Sequence, residues 1–168
     1  MFHDRNTVLN AIKLCGNEKD IGKVRRVHAH FLETSSIPED VYVSTALITS
    51  YAKCGAMEEA QLVFEMLLTR NVVSWNALIS GYSKNGHCDE ALKCFRRMRG
   101  VGVYPSAVTY ICILKACGII GCQEIGEDID AEVTMRGLLE KEVMLGNALV
   151  DMYCKCGALE DALWVFYS

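Results

Sequence analysis

The chain has 168 residues, 51% of them hydrophobic, and carries 17 Lys and Arg against 21 Asp and Glu, a formal net charge of -4 at pH 7. That is enough apolar material for a sizeable core, yet charged residues interrupt every apolar run well short of the roughly 18 residues of a membrane span, including the most apolar stretch, 143–153. The acidic balance argues against nucleic-acid binding through bulk charge: residues 107–142 hold three basic residues (Lys115, Arg136, Lys141) against seven acidic ones, which accounts for the whole -4.

The first residues, MFHDRNT, run almost directly into repetitive sequence, with neither a secretory apolar core nor an Arg/Ser-rich transit segment. Because the chain also stops at Ser168 part-way through a repeat, an excerpt of a longer protein is the expectation. Aligned on itself, the chain divides into units 5–40, 41–71, 72–106, 107–142 and a truncated 143–168, the first four being 36, 31, 35 and 36 residues long. The units starting at 41, 72 and 143 share Ala46, Ala77 and Ala148, then Tyr51, Tyr82 and Tyr153, then Gly55, Gly86 and Gly157, then Phe64, Phe95 and Phe166. The two 36-residue units share Thr7 with Thr109, Cys15 with Cys117, Gly16 with Gly118 and Ala29 with Ala131.

The 72–106 unit shows the pattern most clearly. Trp75, Leu78, Ile79 and Tyr82 make one apolar helical face, and Asn85-Gly86 supplies a stop. A second helix opens on Asp89 and Glu90, near its positive dipole end, and buries Cys88, Ala91, Leu92, Phe95 and Met98 before Gly100, Gly102 and Pro105 close the unit. A lone helical hairpin cannot cover its own apolar face, so successive hairpins must stack and share a core. The predicted fold is therefore all-α, a right-handed α-solenoid of helix-turn-helix repeats spanning 5–168.

Nine cysteines would suit a disulfide framework or a metal site, but Cys15 and Cys117 recur at one offset and Cys54 and Cys156 at another, as small packing residues do. Free thiols are expected. His28 and His30, two apart on a helix, face away from each other, and Cys154 and Cys156 lack the spacing and the second half of a zinc site. No cofactor or metal is predicted. The H-x-E and P-C-x-x-C motifs of a zinc deaminase, a phosphate-binding glycine loop and a nucleophile constellation are all missing from the sequence, so the chain reads as a recognition module and not an enzyme.

The stretches NALISGYSKNG, DEALKCFRRM, TALITSYAKCGAMEEAQLVF and NALVDMYCKCGALEDALWVF closely resemble plant pentatricopeptide repeats. The length cycle resembles the subclass that alternates long, short and standard repeats, with 5–40 and 107–142 long, 41–71 and 143–168 short, and 72–106 standard. A tetratricopeptide array, a peptide-binding solenoid of 34-residue units, is the alternative and shares the Ala91 and Phe95 spacing, but the lengths are not constant and Gly81 sits one place late for its Leu-Gly pair.

The resemblance implies single-stranded RNA, not DNA, as partner, read about one base per repeat by the fifth residue of a unit with its last. Here these are Thr45 with Asn71 (adenine), Asn76 with Ser106 (a pyrimidine, cytosine before uracil) and Asn147, whose partner lies beyond the chain. The long units carry Leu9 with Asp40 and Ile111 with Glu142, and an aliphatic side chain cannot hydrogen-bond a base edge. The implied preference is 5'-N-A-Y-N-Y-3'. Second-position residues Tyr42, Val73, Val108 and Met144 would flank bases, and Lys53, Lys84 and Lys155 would lie near phosphates; inter-repeat packing and helix-dipole complementation are the rival roles for the two sets. The same resemblance implies a role in organellar transcript processing such as C-to-U editing, RNA-editing accessory proteins as partners, a mitochondrial or chloroplast location and no membrane partner.

Overall fold

In the computed structural model the described residues are 5–34 and 40–167; Pro38, in the segment that closes the first unit, and Ser168, where the chain stops, lie outside them. Every described element is an α-helix. Helices α1 (Arg5–Asn17), α2 (Ile21–Thr34), α3 (Val41–Lys53), α4 (Met57–Glu65) and α5 (Val72–Lys84) belong to one compact unit, and α6 (Cys88–Gly100), α7 (Ala107–Ile120), α8 (Gln123–Met135), α9 (Val143–Cys156) and α10 (Leu159–Tyr167) to a second. The odd-numbered helices, called first helices below, start at Arg5, Val41, Val72, Ala107 and Val143, at intervals of 36, 31, 35 and 36 residues.

The apolar faces read from the sequence are the buried ones. Trp75, Leu78, Ile79 and Tyr82 are buried on α5, and Cys88, Ala91, Leu92, Phe95 and Met98 on α6. In the first unit the Phe64 ring of α4 meets the Trp75 ring of α5 edge to face, with centroids 4.6 Å apart, an arrangement that adds to the burial of two large side chains. In the second unit Phe95 and Tyr110 make the corresponding contact at 6.3 Å. Phe166 occupies the offset of Phe64 and Phe95 but is 70% exposed.

The boundary between the two units falls between Asn85 and Gly86, inside the stretch that the sequence presents as one hairpin. Local bonding ties Asn85 to the first unit: its side-chain amide donates to the Ala52 carbonyl of α3 at 2.9 Å and to the Gly81 carbonyl at 2.8 Å. Gly86 follows at φ +80°, a left-handed conformation that glycine adopts without a Cβ penalty.

Within each unit, consecutive first helices approach closely at small residues. A Cβ on Gly16 of α1 would lie 2.8 Å from the Ser50 Cα of α3, and the Ser50 hydroxyl instead donates to the Ile12 carbonyl at 3.0 Å. A Cβ on Gly81 of α5 would lie 2.8 Å from the Ala52 Cβ. In the second unit, Gly118 of α7 lies against Lys155 and Met152 of α9, which a Cβ would meet at 3.1 and 3.4 Å.

All nine cysteines are free thiols, with Cys15, Cys88 and Cys117 buried. Burial pushes the Cys117 thiol up to about 12 and raises Cys54, Cys88 and Cys156 as well, which keeps these thiols protonated and unreactive. His28 is a packing residue: its Nδ1 lies 2.8 Å from the Tyr51 hydroxyl, and burial lowers its pKa, favouring the neutral ring.

Gly16→Ala is expected to destabilise the chain by about 1–3 kcal/mol, since the added methyl meets backbone and not the movable end of a side chain. Urea denaturation followed by circular dichroism measures it; a midpoint equal to that of the wild type would mean that α1 and α3 are less tightly seated than described.

Candidate nucleic-acid interface

As a class, the first helices differ in charge from the second helices. Together α1, α3, α5, α7 and α9 carry six basic residues (Arg5, Lys13, Lys53, Lys84, Lys115, Lys155) and one acidic residue, Asp151, a net +5. The second helices α2, α4, α6, α8 and α10 carry seven basic and thirteen acidic residues, a net -6. Among the helices, the acidity therefore belongs to the second class. Much of it is engaged locally: Glu132 accepts from the Tyr110 hydroxyl at 2.6 Å and lies 3.4 Å from Arg136, and Asp130 accepts from the Tyr153 hydroxyl at 2.9 Å.

In the first unit an open groove of about 460 Å³ runs over α1, α3 and the start of α5. It is lined by Thr45 and Asn71, by Tyr42 and Val73, and by Leu9, Lys13, Thr49 and Lys53. Thr45 sits one turn inside α3, and its enclosed hydroxyl has no hydrogen-bond partner among the described residues. Asn71 is the N-cap of α5: its Oδ1 accepts from the backbone N–H groups of Val73 and Ser74, both at 3.0 Å, which leaves the amide NH2 for a ligand. A second groove of about 310 Å³ lies over the C-terminal ends of the same helices and gathers Lys19, Lys53 and Lys84.

The last residue of a unit is repeatedly the N-cap of the next first helix. Asp40 caps α3 by accepting from Tyr42 and Val43, and Ser106 caps α7 in a capping box with Thr109. Glu142 precedes α9 without a side-chain cap bond. Asn76, by contrast, lies within α5 at the offset of Thr45, so it is no cap, and Asn147 is an exposed residue at the same offset in α9. Asn76 belongs to the first unit and Ser106 to the second.

Tyr42, Val73, Val108 and Met144 are 71%, 56%, 54% and 63% exposed, so packing does not account for these apolar residues. The Arg5 guanidinium stands 4.5 Å from the centre of the Tyr42 ring. The three lysines singled out by offset differ in engagement. Lys53 Nζ donates to Asn17 Oδ1 at 2.6 Å and Lys155 Nζ pairs with Asp151 at 2.7 Å, whereas Lys84 has no ion-pair partner among the described residues. Sequence reasoning passed over Lys13, Thr49 and Lys19. The first two carry a readable signal, since they stand one helical turn beyond Leu9 and Thr45 on the same face.

Among the described residues, no group of three His, Cys, Asp or Glu side chains could hold a metal ion, and no helix is long and apolar enough to cross a membrane.

Comparison with known proteins supplies the context. The PPR repeat family matches residues 70–118, and the PPR repeat matches 42–72 and 147–168. A pentatricopeptide repeat-containing protein of Arabidopsis thaliana is 35% identical over 174 residues, covering 100% of this chain and 25% of its own length. A second from the same plant, named chloroplastic, is 35% identical across 93% of the chain and 25% of its own length, and a third, named mitochondrial, is 34% identical across 97% and 25%. The chain thus spans about a quarter of the length of these relatives. Among solved structures, the pentatricopeptide repeat protein PPR10 in complex with an 18-nt psaJ RNA element superposes with a TM-score of 0.76 at 22% identity, over 96% of this chain and 24% of that one, a likeness of fold.

Replacing Asn71 by Ala is expected to cost about 1 kcal/mol, the usual worth of an N-cap, while Asn71→Asp, an equally good cap, stays within a few tenths. Chemical denaturation of the two variants checks this; equal losses would show that capping is not what holds Asn71.

Proposed function

The chain belongs to the pentatricopeptide repeat family, an all-α solenoid fold, and on that premise we propose that it is a single-stranded RNA recognition module reading about one base per repeat. The observation that carries this reading is the shared groove of Thr45, Asn71, Tyr42 and Val73 on the basic first helices of the first unit. It combines an unsatisfied hydroxyl, a free amide NH2, two exposed apolar surfaces and lysine ammonium groups, the mixture that an unpaired base and its phosphate require. The structure of PPR10 in complex with an RNA element supports it by analogy of fold.

The finer assignment follows the intervals between first helices. Units 5–40 and 107–142 act as long repeats, 41–71 and 143–168 as short ones and 72–106 as a standard one, the pattern of the long-short-standard subclass. Thr45 with Asn71 reads adenine, Asn76 with Ser106 a pyrimidine and Asn147 a pyrimidine, giving 5'-N-A-Y-N-Y-3' with the N-terminal repeat towards the 5' end. Tyr42, Val73, Val108 and Met144 flank the bases, and Lys53, Lys84 and Lys155 neutralise phosphates; for Lys53 and Lys155 this requires exchanging the present bonds to Asn17 and Asp151. Chemistry on the RNA, such as C-to-U editing with accessory proteins, belongs to parts outside this chain. The relatives named chloroplastic and mitochondrial support an organellar site of action.

The double substitution Asn76→Thr with Ser106→Asn, made within a complete array, is expected to move the preferred base at one position from pyrimidine to adenine, by roughly tenfold in relative affinity for about 1.4 kcal/mol of altered bonding. Selection from a randomised single-stranded RNA pool reads it out, and an unchanged preference at that position removes the assignment of base-reading residues.

A further inference from the structure

The first helices place their lysines in two different registers. At the ninth position of each unit stand Lys13, Thr49, Ser80, Lys115 and Asp151; at the thirteenth stand Asn17, Lys53, Lys84, Ile119 and Lys155. The two alternate. Where the fifth residue is polar (Thr45, Asn76, Asn147), the cation sits at position thirteen, near the helix C-terminus. Where it is aliphatic (Leu9, Ile111), the cation sits one turn earlier, at position nine, directly beyond the aliphatic residue on the same helical face.

The position-nine lysines also differ in state from two of the three at position thirteen, the third, Lys84, having no ion-pair partner among the described residues either. Lys13 and Lys115 are exposed, and neither has an ion-pair or hydrogen-bond partner among the described residues. Lys53 and Lys155, at position thirteen, are already engaged with Asn17 and Asp151. Lys13 also lines the groove that holds Thr45 and Asn71, beside Leu9. A helix dipole does not explain the placement, because position nine is mid-helix in both α1 and α7.

Resting on the reading of the chain as an RNA-binding module, we propose that the two 36-residue units are phosphate clamps: Lys13 and Lys115 each bind a backbone phosphate of single-stranded RNA at repeats whose Leu9 and Ile111 contribute no base reading. An aliphatic fifth residue offers an apolar surface indifferent to base identity, and the unpaired ammonium one turn along supplies the affinity that the missing base contact does not. Such a unit holds the strand in register between the reading repeats without restricting sequence.

The test uses the full 168-residue chain and a labelled, unstructured RNA oligonucleotide carrying 5'-N-A-Y-N-Y-3', with fluorescence anisotropy from about 0.05 to 0.2 M KCl. One phosphate contact on a single strand contributes about 0.7 to the slope of log affinity against log salt, equivalent to about fivefold in affinity at about 0.1 M. Lys13→Gln and Lys115→Gln are each expected to flatten the slope by about 0.7 and weaken binding about fivefold, with the order of base preference unchanged. Lys13→Arg and Lys115→Arg are expected to restore both quantities. Lys93→Gln removes an equal charge from α6, where that lysine faces Glu90 at 3.8 Å, and is expected to leave the slope as it was. Wild-type binding with an unchanged slope in both Gln variants overturns the clamp and leaves the RNA-binding reading intact. An equal loss in Lys93→Gln overturns it in favour of net charge, and an altered base preference overturns it in favour of a base contact. If the wild type binds no single-stranded RNA at any salt, the clamp and the functional reading fall together.

Discussion

The close approach of consecutive first helices is the constraint on which the rest of each unit depends. Gly16 against Ser50 and Gly81 against Ala52 leave no room for a side chain at the contact, and Gly118 against Lys155 and Met152 leaves little, so the backbones settle at a separation and rotation set by small residues. With that seating fixed, residues at the same offset in adjacent first helices come to the same side. Second-position apolar residues are then left in solvent, and in the first unit the fifth, ninth and thirteenth positions line two grooves. The Ser50 hydroxyl, buried at this contact, satisfies itself on the Ile12 carbonyl and adds direction to an otherwise nondirectional fit.

The second structural economy is the double use of the residue that ends each unit. A helix N-terminus needs a side-chain oxygen, and Asp40, Asn71 and Ser106 provide one. This fixes the rotamer of Asn71 and decides which pole of its amide remains available. The carbonyl oxygen is held by Val73 and Ser74, so the donor pole is what a ligand in the groove meets. A stability requirement and a recognition role thus fall on one side chain, and the first narrows the chemistry open to the second.

Charge follows the same division of labour. The whole chain is acidic, which by itself speaks against a polyanionic partner, yet the first helices taken together are positive and the second helices taken together negative, with the negative charge on α4, α8 and α10. Within the second unit Asp130 and Glu132 of α8 accept from tyrosine hydroxyls, and Glu132 also pairs with Arg136, so these two do structural service. Net charge averages over faces with separate tasks, so it says less about a repeat protein than about a compact globule.

Sequence alone determined the helices and their buried faces, because each repeats a local pattern: apolar residues at helical spacing, a glycine at the left-handed turn, and aromatics at fixed offsets that the structure finds packed as Phe64 on Trp75 and Phe95 on Tyr110. It also marked Thr45 and Asn71, though only through resemblance, since nothing local separates them from a solvated residue and a loop asparagine. The tertiary structure decided what depends on neighbours distant in sequence. It showed that Asn71 and Thr45 line one groove with Tyr42 and Val73, that Lys53 is bonded to Asn17 while Lys13 has no partner among the described residues, and that the boundary between compact units falls after Asn85. Offsets name the face on which a side chain stands; only packing against the next helix determines whether it is still unoccupied there.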